Sequence, residues 1–246
     1  MASVRYTSDE LFHFVGRGDP EDHDKNFSVL KAILDSGWVL HRGGEPGWGV
    51  ERISINPTES LLDEGMIVPE VVCFADIPFE ALSIHVRKYG QFGLSLSRAH
   101  LQAYGARPVM YFPVNLEQVE ARYGRPCLAD IEVVFRALRE HLRQVEAPSV
   151  RTWGKPPETL GQAADAFSGI ALKEFLAFIK PFDAQLPPTA ENNYYMEREW
   201  RRLGNMGFSE RDVRSVVVPP AFMDRARNEL GPYGAKLSPP EEVVGD

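Results

Sequence analysis

The sequence predicts an α+β fold in which short strands lie on both sides of a helical block. Strand-like runs of apolar and aromatic residues occupy the first and last parts of the chain, whereas the middle has the apolar period of helices. Because short strands flank a helical block, the sequence favours an α+β fold. We expect a single domain at 1–236, with a helical insertion at about 115–185 and a flexible acidic tail at 237–246.

The N-terminal part of the chain combines predicted strands with short helices. "LFHFV" at 11–15 is an apolar run typical of a strand, with His13 in its middle. "FSVLKAILDSG" at 27–37 has helical spacing and ends in a glycine, which favours the position after a helix. "PEVVCFADIP" predicts a buried strand at 69–78. An amphipathic helix and two further strands are predicted at 79–90, 92–97 and 107–113.

The middle and the C-terminal part of the chain differ in character. Two segments with a strong helical period, 128–146 and 162–180, are separated by a link that contains proline and glycine. After them, "RDVRSVVVPP" at 211–220 predicts a strand that stops at its prolines, and "AFMDRARNEL" at 221–230 predicts a closing helix.

Composition and charge exclude several classes of protein. The 246 residues are 43% hydrophobic and 25% charged, as in soluble globular proteins, and the net charge of −8 argues against a dedicated nucleic-acid surface. No apolar run is long enough to span a membrane, and the N-terminus lacks a signal pattern. Cys73 and Cys127 match no metal or redox spacing. We expect a cytoplasmic protein without a metal.

The segment "NNYYMEREWRR" at 192–202 is the chemically unusual part of the sequence. As a helix it would be a solvated face with an ordinary pair between Glu197 and Arg201. As a strand it would place Tyr195, Glu197, Glu199 and Arg201 on one side. Two carboxylates on one face repel each other unless a positive charge lies opposite them. The strand-rich context favours the strand, which we expect at 194–201 beside the "LFHFV" strand. The oxocarbenium-like ribose that forms when an N-glycosidic bond breaks is a positive charge of this kind.

Several segments together resemble the AbiGi-type abortive-infection family of bacterial phage-defence proteins. They are "LFHFV", "LKAILDSGW", and two denser blocks at 69–112 and 194–203. Because that family is described as the antitoxin of a toxin–antitoxin pair, the resemblance implies a cognate toxin or antitoxin protein as partner. It does not by itself imply a chemical activity.

The order of these segments is also similar to that in DarT-like ADP-ribosyltransferases. This second resemblance implies a split β-sheet core that holds NAD as substrate. The acceptor, a protein, a nucleic acid or a small molecule, stays open. The same resemblance implies that His13 contacts ribose and that a mid-chain aromatic, Tyr89 or Phe74, lies near nicotinamide. Glu197-Arg198-Glu199 also resembles the E-x-E pair of other ADP-ribosyltransferases, which implies Glu199 as the catalytic carboxylate and Glu197 on the acceptor side.

Other interpretations of the same residues stay open at this point. Arg136 and His141 have the R-x4-H spacing of HEPN-type ribonucleases, a spacing that also arises by chance in charged helices. A non-catalytic antitoxin or sensor would keep the fold and bind a partner. His13 could be a core histidine, and Glu-x-Glu is common on charged surfaces.

Overall fold

The computed structural model describes the chain apart from residues 1–7, 42, 48–50, 80–81, 115–123, 145–157, 188–189, 191–192 and 241–246. The α-helices of the described part are α1 (His23–Ser36), α2 (Ser83–Tyr89), α3 (Arg98–Ala103), α4 (Gly124–Gln144), α5 (Leu160–Ile170) and α6 (Met223–Glu229). Its strands are β1 (Glu10–Phe14), β2 (Trp38–Val39), β3 (Ile53–Ile55), β4 (Ile67–Pro69), β5 (Val71–Ala75), β6 (Gly93–Ser97), β7 (Arg107–Pro108), β8 (Met110–Pro113), β9 (Ile179–Phe182), β10 (Glu199–Leu203), β11 (Met206–Gly207), β12 (Val213–Val217) and β13 (Leu237–Ser238).

Internal contacts divide the chain into two compact units. The first consists of Met1–Arg52, Glu70–Pro108 and Pro188–Asp246, and the second of Ile53–Pro69 and Val109–Pro187. The helical insertion predicted at about 115–185 falls inside the second unit. That unit also takes in the hairpin of β3 and β4, which nothing in the sequence had indicated.

The first unit is built on a seven-stranded sheet with the order β13-β12-β6-β1-β5-β10-β7. Its neighbouring strands are antiparallel, except that β12 and β13 run parallel. With helices packed on this sheet, the predicted α+β class is confirmed. Leu237 and Ser238 pair with β12, so the start of the predicted tail is part of the sheet. Residues 241–246 lie outside the described residues.

Within this sheet, β1 and β5 share little backbone pairing. β1 pairs with β6 along its whole length, and β10 pairs with β5 over five residues. Between β1 and β5, by contrast, the described strands show one pair of partners, Phe12 and Ala75. Beside it, Nδ1 of His13 lies 2.9 Å from the backbone oxygen of Cys73. A side chain therefore takes over part of the bonding that a backbone ladder would supply.

The two faces of the sheet carry separate clusters of buried apolar residues. The larger cluster joins one face to α1 and α6, with Leu11, Phe74 and Leu94 facing Phe27 and Ala226. The smaller cluster lies on the opposite face and consists of Phe12, Ala75, Ile77, Leu82 and Val217. The alternation of Leu11 and Phe12 between the clusters follows from the two-residue period of a strand.

Local sequence signals explain where α1 begins and ends. Asp22 caps its N-terminus by accepting a hydrogen bond from the backbone of Lys25. Gly37 ends the helix in the left-handed region, with φ of 68°. The stop at Gly37 is confirmed, whereas the helix begins at His23, before the predicted start at Phe27, because Asp22 caps it there.

The segment predicted as one helix at 162–180 is shorter than predicted. α5 begins at the capping box of Thr159 and Gln162 and then loosens into a π turn at Ala171–Phe175. The chain becomes β9 at Ile179 and pairs in parallel with β8. The prediction is wrong for its last residues, because Pro181 lacks the N–H that a helix needs.

In the second unit, α4 is held to the turn at Leu61–Asp63 by a partly buried polar contact. Glu132 accepts hydrogen bonds from the Ser60 hydroxyl and the Leu61 N–H, both at 2.8 Å, and from Arg136 at 2.9 Å. Burial would raise the pKa of Glu132, but these hydrogen bonds together hold it below its usual range. Around this contact lies the apolar core of the unit: Leu61, Met66, Ile67, Val114, Leu128, Phe135, Leu176 and Ile179.

Replacing Glu132 with alanine is expected to destabilise the protein by about 2 kcal/mol, because Ser60, Leu61 and Arg136 lose one shared acceptor. Urea unfolding measures the effect. Asp130→Ala on the exposed side of the same helix is the matched control and is expected to change stability by less than about 0.5 kcal/mol. Equal stability of the two variants would show that the Glu132 contact does not hold α4 to the turn.

Candidate functional site

The segment that carries the two glutamates is a turn followed by a strand. Tyr194–Glu197 form a 3-10 turn, Arg198 adopts the left-handed region with φ of 44°, and β10 begins at Glu199. The predicted strand at 194–201 is therefore wrong for its first residues. It is also wrong in its neighbours, because β5 separates β10 from β1. A positive φ breaks the extended path at Arg198, whose carbonyl accepts a hydrogen bond from the N–H of Asp76 at 3.2 Å.

Glu197 is buried and bound by two side chains from the end of α2. Its carboxylate accepts hydrogen bonds from Nζ of Lys88 at 2.7 Å and from the hydroxyl of Tyr89 at 2.5 Å. Burial, followed by the charge of Glu197, raises the pKa of Tyr89 well above its usual range. The Tyr89 hydroxyl thus stays protonated and remains a donor to the glutamate.

Glu199 is buried at the start of β10. Nε of Arg201 donates to its carboxylate at 2.7 Å. Residues two apart in a strand share a face, so the predicted side-by-side placement of Glu199 and Arg201 is confirmed. The charge of Glu199 also raises the pKa of Tyr89, which puts both carboxylates within electrostatic reach of one phenol. These side chains form the glutamate cluster: Lys88, Tyr89, Tyr194, Glu197, Glu199 and Arg201.

Aromatic rings and cations border the cluster. Nζ of Lys88 lies 4.4 Å from the ring centre of Tyr194 and 5.2 Å from that of Tyr89. The guanidinium of Arg17 lies 6.0 Å from the Tyr89 ring. The N–H of Gly16 donates to the Tyr89 carbonyl at 2.7 Å, and a Cβ at Gly16 would overlap with that oxygen. The end of β1 is therefore fixed against the end of α2, and Tyr89 with it.

His13 and Phe74 lie on the other face of the sheet. Phe12 pairs with Ala75, and Ala75 with Glu199, so these three side chains share a face. His13 and Phe74 alternate with them and point the opposite way, with ring centres 5.8 Å apart. The backbones of Phe12 and Glu199 are about 10 Å apart, two strand spacings of about 4.8 Å. The structure thus brings Tyr89, Glu197 and Glu199 together but places His13 and Phe74 on the reverse side.

His13 is held as a neutral imidazole. Burial lowers its pKa, and the hydrogen bond with the Cys73 carbonyl offsets this only in part. A carbonyl oxygen can only accept, so Nδ1 carries the proton. The side chain therefore fastens β1 to β5 from the face opposite the glutamates.

Two parts of the site were not foreseen from the sequence. Lys88 and Tyr194 belong to the cluster because the end of α2 contacts the turn before β10. No local sequence pattern predicts this contact between distant segments. Asp76, directly after β5, is buried and pairs with Nη2 of Arg98 at 2.7 Å and with Nη2 of Arg198 at 3.6 Å. An acidic residue in the otherwise apolar run at 71–78 was the available signal.

Arg136, one half of the R-x4-H pair, has a structural role. Its guanidinium donates to the backbone oxygens of Pro57 and Glu59, both at 2.5 Å, and to the carboxylate of Glu132. These contacts hold the loop before the Leu61–Asp63 turn. The side chain of His141 lies outside the described residues.

The described residues contain neither a metal-binding cluster nor a helix suited to span a membrane. No group of three or more histidine, cysteine or acidic side chains there is arranged to hold a metal ion. Among the described helices, none has the length and apolarity that a membrane span requires.

The fold and the cluster define an α+β protein with a buried carboxylate site, and comparison with known proteins identifies its family. Residues 64–230 match the family model described as "Putative abortive phage resistance protein AbiGi, antitoxin". Because the match covers more than half of the chain, the protein belongs to the AbiGi family, and the resemblance seen in its sequence is confirmed. The family is one of abortive phage resistance. No curated protein and no solved structure matches the chain.

The lowered pKa of His13 predicts a pH dependence of stability. Between that lowered value and the ordinary 6.5, the unfolded chain binds more protons than the folded protein, so stability falls as the pH falls through this window. His13→Gln removes the titrating group and is expected to flatten this loss. Urea midpoints measured across the window and above it test the prediction. If the urea midpoints of wild type and variant change with pH in the same way, His13 has the same pKa in the folded and the unfolded chain, which contradicts the prediction.

Proposed function

We propose that this AbiGi protein acts in phage defence by binding NAD at the glutamate cluster and transferring ADP-ribose to an acceptor. The observation that carries the proposal is the pair of buried carboxylates at the turn into β10, with Glu197 hydrogen-bonded to Tyr89 and Glu199 ion-paired with Arg201. Buried charges are costly to a fold, and their concentration in one place is typical of a site with a chemical task.

The chemistry requires a fixed negative charge beside the ribose. When the bond between C1′ and the nicotinamide nitrogen breaks, its electron pair leaves with nicotinamide and positive charge develops on the sugar. An acceptor nucleophile then bonds to C1′ and releases a proton, or water does so and yields free ADP-ribose. A carboxylate near C1′ stabilises the charged state more than the ground state. Glu199, whose carboxylate lies 2.7 Å from Nε of Arg201, is suited to this role.

The surroundings of the cluster supply the remaining parts of such a site. Tyr89 and Tyr194 offer aromatic surfaces on which a nicotinamide ring can stack. Lys88 and Arg17 provide positive charge for a diphosphate. In this proposal His13 and Phe74 support the sheet from behind, because their side chains face away from Glu199.

The limited backbone pairing between β1 and β5 supports an ADP-ribosyltransferase-like split sheet. In the described strands these two share one pair of partners, and the ends of β1 and α2 meet beside the glutamates. A sheet that opens along this line would give a ligand access to Glu197 and Glu199 without disturbing the five-residue ladders on either side.

Substituting the two glutamates separately tests this proposal. Glu199→Gln is expected to lower both NAD cleavage and ADP-ribose transfer by about a hundredfold or more, with little change in NAD affinity. Glu197→Gln is expected to suppress transfer preferentially and to leave slow NAD hydrolysis, because water still reaches C1′. Nicotinamide release and label transfer from NAD to host protein or nucleic acid are the measurements.

The matched control for both variants is Glu210→Gln, an exposed glutamate of the first unit. Thermal unfolding of all three variants verifies that the fold is intact. Equal and mild effects of Glu197→Gln and Glu199→Gln would leave the cluster as a structural charge network and would contradict NAD chemistry.

A second candidate function is that of a non-catalytic antitoxin that binds a partner protein. The family description names an antitoxin. In addition, Glu197 is paired with Lys88 and Glu199 with Arg201, so the charges of the cluster are balanced within the protein. A balanced network of this kind can serve to fix the shape of a binding surface.

Phage protection by Glu199→Gln separates the two candidates. If the protein acts by binding a partner, this variant is expected to protect as well as wild type, because glutamine keeps the shape of the side chain. If it acts by catalysis, protection is expected to disappear while the thermal unfolding curve changes little. Efficiency of plating of phage on cells that carry each variant is the measurement, with Glu210→Gln as control.

A further inference from the structure

Arg198, which lies between the two glutamates of the cluster, has an unusual backbone conformation. Its φ of 44° and ψ of 49° lie in the left-handed region. Among the described residues other than glycine, a positive φ is otherwise found at Glu64. A residue with a Cβ is strained in this region, and glycine usually occupies it. Strained residues persist where their surroundings determine the conformation, and they concentrate at functional sites.

The left-handed turn at Arg198 sets where the two carboxylates lie. Glu197 ends the 3-10 turn before it, and Glu199 begins β10 after it. An extended backbone at Arg198 would instead prolong β10 through Glu197, along the sheet. With the turn, the chain leaves the direction of the strand, and Glu197 reaches Lys88 and Tyr89 at the end of α2. The conformation of one residue therefore decides whether Glu197 joins the cluster.

Asp76 contacts both the backbone and the side chain of Arg198. Its N–H donates to the Arg198 carbonyl at 3.2 Å, and its Oδ2 lies 3.6 Å from Nη2 of the Arg198 side chain. Because Asp76 is only 4% exposed, water competes weakly for its carboxylate. The strained residue is thus bound at two points by one buried residue.

Arg98 in turn fixes the carboxylate of Asp76. Nη2 of Arg98 donates to Oδ1 of Asp76 at 2.7 Å, which leaves Oδ2 to face Arg198. The guanidinium of Arg98 is itself held, because its Nε donates to the Ser8 carbonyl at 2.7 Å and its carbon lies 5.0 Å from the centre of the Trp200 ring. Each oxygen of Asp76 therefore serves a different arginine. An asparagine, with one oxygen, could serve only one of them.

We propose that Asp76 is a positioning residue, which holds Arg198 in the left-handed conformation and thereby places the two glutamates for NAD cleavage. Its contacts described above reach Arg98 and Arg198, so it acts on the carboxylates through the backbone. A misplacement of about 1 Å at a reacting group can lower a rate by about a hundredfold, so a residue behind the site can control it. The effect on rate rests on the proposed NAD chemistry, whereas the effect on the backbone does not.

Two substitutions of Arg198 test the need for the left-handed conformation. Both remove the guanidinium, but Arg198→Gly permits a positive φ, whereas Arg198→Val opposes it because the side chain branches at Cβ. Nicotinamide release from NAD is the measurement. The kcat of Arg198→Val is expected to be at least about tenfold below that of Arg198→Gly, with KM values within about threefold of each other. Equal kcat values in the two variants would overturn the proposal.

Rescue by glycine tests the role of Asp76 itself. Asp76→Asn and Asp76→Ala are each expected to lower kcat by about tenfold to a hundredfold, and the two are measured side by side in case one does not fold. Adding Arg198→Gly is expected to restore most of the rate, because glycine takes the left-handed conformation unaided. Glu64→Gly is the matched control, since it removes the same kind of strain in the second unit. Equal rescue by both glycine substitutions, or none by Arg198→Gly, would overturn the positioning role.

Amide hydrogen exchange separates this proposal from the NAD chemistry. In Asp76→Asn, a peptide covering 194–200 is expected to exchange about tenfold faster than in wild type, while β6 and β12 exchange as before. Glu210→Gln is the control and is expected to exchange like wild type. Unchanged exchange at 194–200 in Asp76→Asn would overturn the proposal, whether or not NAD is cleaved. Wild-type protein that does not cleave NAD would overturn the proposed function, and faster exchange in Asp76→Asn would then still assign the turn to Asp76.

Discussion

The row formed by Phe12, Ala75 and Glu199 across three neighbouring strands determines the architecture of the first unit. Side chains alternate along each strand, so fixing this row fixes the face of every residue in β1, β5 and β10. A slip of one residue in β10 would bury Arg201 where Trp200 now lies, within the apolar cluster that joins the sheet to α1 and α6. The placement of the glutamates is thus secured by the packing of the face opposite to them.

Burying Glu197 and Glu199 has an energetic cost that the surrounding residues offset. Removing a carboxylate from water costs several kcal/mol, and one close cationic partner returns part of that cost. Glu197 has Lys88 and the Tyr89 hydroxyl, and Glu199 has Arg201, so each charge is compensated by a specific donor. Apolar residues of similar volume would serve stability at least as well. The cluster is therefore better explained by a function than by the needs of the fold.

The sequence predicted local features well and long-range ones poorly. The strand around His13, the end of α1 at Gly37 and the shared face of Glu199 and Arg201 each depend on neighbours within a few residues. That β5 lies between β1 and β10 depends on pairing across more than a hundred residues, which no local pattern encodes. The same limit hid Lys88, which meets Glu197 only through the fold. The left-handed backbone at Arg198 was unforeseen because arginine carries no signal for it.

The two features that point to function lie side by side in the first unit. Glu197 and Glu199 are buried charges, and Arg198 between them has a left-handed backbone that is strained for a residue with a Cβ. Each violates a usual rule of protein structure, and such violations mark the places where a fold serves something other than its own stability. Because the strain lies in the backbone of Arg198 and the charges lie in the side chains of its neighbours, substitutions can remove them one at a time. A site that needs both would lose its activity with either.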